Sequence, residues 1–256
     1  MPQNWAVQRW RELALAFALM TRLPRPKLAL TEHIPVGNYA WAFPLAGLAI
    51  GALSGIALWL ARQAGASPPL AALAALAASL IATGALHEDG LADFWDGIGG
   101  GRTRARKLEI MRDSSIGAFG AAALFMGLAI RWAALADIAE PGAAISALVL
   151  AHTAGRGLLA LIPEYWRPAR SDGLAAGMGG TWVRSAASLL LTIAICALFA
   201  PPPLAVASLV AATAAILSIG AIAGRYLGGF TGDVLGAAEQ FAEALVLATA
   251  SALLAR

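Results

Sequence analysis

With a single cysteine in 256 residues, the chain cannot close an internal disulfide, and Cys196, set in an apolar run, reads as inert packing. Charge is equally scarce. Asp, Glu, Lys and Arg make up 13% of the residues, where a soluble domain carries about a quarter, so an ordinary soluble fold is excluded. A cleavable leader is not expected. The first apolar run, Leu13–Met20, is short, follows Arg9, Arg11 and Glu12, and ends at Pro24 and Pro26. With Trp5 and Trp10 ahead of it, it reads as an amphipathic helix lying at a membrane interface.

What is abundant is apolar: 59% of residues are hydrophobic and the mean hydropathy is +0.72. The expected fold is all-α, a polytopic helical membrane protein forming one domain over 1–256. Seven spans are expected, near 42–61, 69–86, 116–136, 143–162, 185–200, 204–223 and 235–254. The longer connections carry Arg9, Arg11, Arg22, Arg25, Lys27, the Arg102–Lys107 cluster, Arg112, Arg167, Arg170, Arg184 and Arg225. The short ones carry only Arg62. That asymmetry places the N-terminus and the long loops in the cytoplasm. The net charge of +3 therefore reflects topology, and nucleic acid is not an expected partner. Membrane lipid is one, and self-association into a homo-oligomer stays open.

The chemistry-bearing stretch is LHEDGLADFWDG, residues 86–97, directly after an apolar run. It sets Glu88, Asp89, Asp93 and Asp96 within nine positions. If the preceding helix continues through it, Asp89, Asp93 and Asp96 share a face within about 40–60°, while Glu88 points roughly 100° away from Asp89. At an effective dielectric of about 20, each neighbouring ionised pair repels by roughly 3 kcal/mol, a cost a cation would offset. Oxygen-only donors with no Cys or His cluster beside them favour a hard ion such as Mg²⁺ over zinc. A solvated acidic loop is the plainer alternative.

Further polar groups fall on the same side. Gly99–Gly101 followed by Arg102, Arg104, Arg106 and Lys107 could cradle phosphates, or be a turn with positive-inside charge. Asp113 and Ser114 can cap a helix beginning near Ile116. Arg131, deep in a span, either faces the bundle interior or snorkels towards Asp137. His152 and Arg156 share a helix face, with Arg156 the better anion contact. The Gly-rich loop 167–180, with Arg170 and Asp172, reads as a cover over a site. The last span opens with Asp233, Glu239, Gln240 and Glu243. Intramembrane carboxylates are expensive and point to function.

Together these motifs resemble the cobalamin synthase (adenosylcobinamide-GDP ribazoletransferase) family. The resemblance rests on HEDGLADFWDGIGGG…RKLEIMRDSSIGAFG, on FALMTRLPRP at 17–26, on PARSDGL at 168–174 with Arg156 upstream, and on GGFTGDVLGA at 228–237. It implies an inner-membrane, Mg²⁺-dependent enzyme that joins adenosylcobinamide-GDP to α-ribazole or its 5′-phosphate and releases GMP, its site facing the cytoplasm. Asp89, Asp93 and Asp96 match the family and are the expected main metal ligands, with Glu88 beside them. Asp113, Asp233 and Glu243 would be the candidate base or further ligand, and Arg102, Arg104, Arg112, Arg156 and Arg170 the substrate grip. Arg131, often Lys in the family, also matches; Glu88 and Glu239 sit where the pattern is looser. Two competing readings remain. A CDP-alcohol-type phospholipid phosphotransferase shares the start of the acidic signature but not its remainder. An ion-coupled transporter would place its acids nearer the midplane and show internal repeats, which are not found.

Overall fold

A computed structural model of the chain describes residues 5–23, 34–179 and 182–254. Pro24, Pro26, Arg25 and Lys27 lie outside these residues. Among the described residues the regular structure is helical, apart from one isolated bridge between Pro168 and Phe230.

The chain opens with α1 (Trp5–Met20). Its Trp5 and Trp10 are exposed, as interfacial anchors are, while Glu12 is buried. Arg9 Nη1 (2.6 Å), Trp41 Nε1 (2.7 Å) and Arg184 Nη1 (3.0 Å) all donate to Glu12 Oε2. One carboxylate thereby ties α1 to the starts of α2 (Phe43–Gln63) and of the later helix opening at Trp182. Next come α3 (Pro68–Thr83), α4 (Leu86–Gly100) and the short α5 (Arg104–Ile110). The remainder is α6 (Ala118–Asp137), α7 (Pro141–Gly157), a 3-10 turn leading into the single-turn α8 (Ile162–Tyr165), α9 (Trp182–Phe199), α10 (Pro202–Leu227) and α11 (Gly232–Leu254).

Among the described residues six segments are long and apolar enough to cross a bilayer; four coincide with α6, α9, α10 and α11, and Ala40–Gln63 takes in α2 with the turn before it. The sixth, Pro141–Tyr165, joins α7 to α8. The expected second span, 69–86, ends in a break: Pro68–Thr83 and Leu86–Gly100 are apolar enough only as a bent pair, which makes a seventh span if the two are counted together. The helix stops at Gly84 and Ala85, both left-handed (φ 65° and 56°), and α4 leaves at 89° to α3. Gly84 and Ala85 both donate to the Leu80 carbonyl, closing α3 as a C-terminal cap does. The acidic stretch therefore lies on a separate helix rather than on a continuation of α3.

Close packing follows from small residues. Gly47, Gly51 and Gly55 of α2 stand four apart. A Cβ on Gly51 would come 2.8 Å from the Val149 Cα of α7, and one on Gly47 would collide with the His152 carbonyl. Without a hydrophobic drive between helices in lipid, such close approach is what holds them together. Gly90 and Gly236 do the same for α4 and α11, their Cα regions meeting at about 3.1 Å from an added Cβ.

A carboxylate sets the start of α6. Gly117 N–H and Gly120 N–H donate to Asp96 Oδ2 (2.7 Å) and Oδ1 (2.8 Å). The expected cap is thus corrected: Asp113 instead accepts from Ser115 N–H at 2.9 Å, and α6 begins at Ala118. Four residues, Ser114 to Gly117, separate Asp113 from the helix, and its side chain folds back on its own turn.

Candidate functional site

The α4–α11 contact decides what faces what. Asp89 and Asp93 of α4 come up beside Asp233, in the first turn of α11, because Gly90 packs directly on the Asp233 and Gly236 backbone. Thr231 orders that turn: its Oγ1 donates to Asp233 Oδ2 (3.1 Å) and accepts from Val234 N–H (3.3 Å). Asp89 is exposed, while Asp93 and Asp233 are half-buried. Asp93 stands in the field of Asp89, Asp233 and Asp96, with Arg170 the facing cation. Arg170 Nη2 lies 3.7 Å from Asp233 Oδ2. An all-oxygen set with negative charge in excess is the donor chemistry a hard divalent ion takes. Asp89, Asp93 and Asp233 supply oxygens of that kind, but among the described residues only His152, Glu239 and Glu243 bring three ligand atoms within 4.8 Å of one another, so the aspartates stand further apart than a closed metal cage. Both Asp96 oxygens already accept the α6 amides described above.

Glu88 points the other way, as helical geometry requires. It enters a second, deeper cluster inside the bundle. Arg131 Nη1 donates to Glu88 Oε1 (3.3 Å) and Glu243 Oε2 (2.8 Å). Arg156 Nη1 reaches Glu239 Oε1 (2.5 Å) and Glu243 Oε1 (2.7 Å). His152 Nδ1 also touches Glu243 Oε1, and His87 Nδ1 lies 3.5 Å from Glu239 Oε2. All seven groups are buried. Arg131 thus faces the interior rather than Asp137, whose Oδ2 accepts from Ser251. Ligand atoms of His152, Glu239 and Glu243 lie within 4.8 Å of one another. A guanidinium nitrogen already sits among them, since Arg156 Nη1 is also 3.0 Å from His152 Nδ1. The cation this trio needs is built into the protein. Glu243 and Arg156, expected as base and phosphate contact, are therefore placed in this cluster and apart from Asp233 and the surface arginines.

The basic groups are on the cytoplasm-expected face. Arg102, Arg104 and Arg112 are exposed on and around α5. The Gly99–Gly101 run is corrected from an open cradle: Gly99 and Gly100 form the last turn of α4, and Gly101 N–H donates to Gly97 O. That helix end presents carbonyls, and Lys107 Nζ donates to Ile98 O at 2.5 Å. The 167–179 loop is laced to this surface. Arg112 Nη2 pairs with both Asp172 oxygens (3.0 and 2.7 Å), and Arg104 Nη2 donates to Ala169 O (3.1 Å). Arg170 Nη2 donates to Leu108 O (3.3 Å). Asp113 is fully exposed, and the Ser115 side chain and amide hold its carboxyl below the usual range.

A cavity of about 210 Å³ opens beside the acids, lined in part by Met20, Phe43, His87, Asp89, Leu159 and Asp233. His87 was passed over in the sequence. A lone histidine beside four carboxylates carries no signal by itself, and only the bend at Gly84–Ala85 brings it between the cavity and Glu239.

The family model described as cobalamin-5-phosphate synthase matches residues 12–251. The chain is 42% identical to an adenosylcobinamide-GDP ribazoletransferase of Mesorhizobium japonicum over 95% of its own length and 93% of the relative's. A protein of the same description from Bradyrhizobium diazoefficiens is also 42% identical (94% and 93% covered), and one from Ralstonia nicotianae 41% (93% and 93%). No solved structure matches. With the matched region running from α1 almost to the end of α11, the chain belongs to the cobalamin-5-phosphate synthase family.

Proposed function

We propose that this protein is an adenosylcobinamide-GDP ribazoletransferase of the inner membrane, working on its cytoplasmic face. The observation that carries the reading is the convergence of Asp89, Asp93 and Asp233, from two separate helices, between an exposed arginine surface and a cavity. A hydroxyl oxygen of α-ribazole, or of its 5′-phosphate, attacks the corrinoid-side phosphorus of the diphosphate. The bond from that phosphorus to the bridging oxygen breaks and GMP leaves. Asp233, ordered by Thr231 at the cavity, accepts the hydroxyl proton. Arg102, Arg104 and Arg112 grip the nucleotide phosphates, and Arg170 steadies Asp233. Asp89 and Asp93 would hold Mg²⁺, which when bound neutralises charge on the diphosphate oxygens. Positioning and electrostatics then supply most of the acceleration, as in phosphoryl transfer generally.

The test is GMP release by the purified protein in detergent. It should require both adenosylcobinamide-GDP and α-ribazole, stop on chelation and return with Mg²⁺. Transfer to a diacylglycerol or inositol acceptor from a CDP-alcohol, with none from adenosylcobinamide-GDP, would overturn the reading.

A further inference from the structure

The cavity beside the acids has two unlike ends. Leu19, Met20, Val36, Phe43, Leu159 and Met178 form an apolar wall drawn from α1, the 3-10 turn at Val36, α2, the Leu158–Leu161 turn and the 167–179 loop. His87, Asp89 and Asp233 form the polar end. At about 210 Å³, it is smaller than the roughly 300–1,000 Å³ of pockets for drug-sized ligands. A corrinoid macrocycle is far too large for it, whereas a bicyclic heteroaromatic is the right scale.

Polarity separates the remaining candidates. A guanine carries donors and acceptors around most of its rim, and an apolar wall would leave several unpaired, each at a cost. A glycosylated, methylated benzimidazole keeps one ring lone pair and presents methyls elsewhere. His87 can meet that lone pair. Its Nδ1 stands between Arg156 Nη2 (3.4 Å) and Glu239 Oε2 (3.5 Å), and an imidazole N–H is the kind of donor such a lone pair takes. The carboxylates at the same end repel a free phosphate but suit ribose hydroxyls.

We propose that this cavity is the subsite for the base of the acceptor nucleoside, an apolar methylated benzimidazole seated against Phe43, Leu159 and Met178 with its ribose turned towards Asp89 and Asp233. This rests on the transferase reading above and adds to it where the acceptor sits. The donor nucleotide is left to the arginine surface.

The experiment uses the full chain in detergent, with Val36→Phe to fill the wall and Leu159→Trp as a second filling variant from another element. Each should raise KM for α-ribazole by about 10-fold or more and leave KM for adenosylcobinamide-GDP unchanged. In calorimetric titration with α-ribazole alone, the wild type should bind and the filled variants should not. A rise in the donor KM with the acceptor KM unchanged, or loss of GMP binding instead of α-ribazole binding, overturns the proposal and gives the cavity to guanine. Unchanged values for both substrates in both variants overturn it too. If the wild type binds α-ribazole but releases no GMP, the transferase reading fails while the subsite stands.

Discussion

Arg131 and Arg156 are among the largest fully buried side chains in the molecule, and carboxylates account for both. Removing one member of a buried ion network strands the others, at a cost of about 3–5 kcal/mol. Glu243, which meets both guanidiniums, is the member with most to lose. Glu243→Gln should lower the thermal unfolding midpoint in detergent markedly, read by loss of the monodisperse peak after heating. Asp93 makes the opposite case. Among the described residues no hydrogen bond to its side chain is recorded, and three like charges surround it. Asp93→Asn relieves repulsion, so the midpoint should hold or rise while GMP release is lost. Normal turnover in Asp93→Asn would remove it from the site. The carboxylates could be read as functional from the sequence, since charge on a membrane helix is costly. Their division into an outer set (Asp89, Asp93, Asp233), two of which line the cavity, and a deep set (Glu88, Glu239, Glu243) could not. A one-residue step along α4 turns Glu88 into the bundle and Asp89 out of it, and what each then meets depends on α6 and α11.

At the scale of elements, the break between α3 and α4 governs the site. Ala85 holds φ 56° without being glycine, a conformation costing an L-residue roughly 1–2 kcal/mol. Ala85→Gly should therefore stabilise the protein by up to about 1 kcal/mol net of added unfolded-chain freedom. Gly84→Ala should destabilise, because φ is 65° and the new Cβ would stand 2.6 Å from Arg22 Nε. Thermal unfolding of the two variants checks the pair of opposite signs. The apolar run at 69–86 made a straight span a natural expectation, because hydropathy sees composition and not the two left-handed residues that end the helix. The start of α6 is a parallel case. Asp113 and Ser114 are the local capping candidates, yet Asp96 supplies the cap from 21 positions away. A local rule finds local partners only.

For the whole molecule, the long and short connections predict a fixed orientation. With buried Cys196 replaced by Ser, Ser67→Cys in a short connection should react with a membrane-impermeant maleimide on intact cells. Ser114→Cys in a long one should react only after permeabilisation; reversed labelling would invert the topology. Hydropathy and the HEDGLADFWDG and GGFTGDVLGA strings were enough to give the membrane class and the family, and the asymmetry of Lys and Arg predicts the orientation. They are local or additive properties of the chain, readable wherever the residues end up. The close approach of α4 and α11 through Gly90 and Gly236, the guanidiniums locked among glutamates, and the small cavity at His87 were decided by the packed bundle alone. Each needs groups from helices far apart in sequence to meet within a few ångströms, and only the tertiary structure sets those distances.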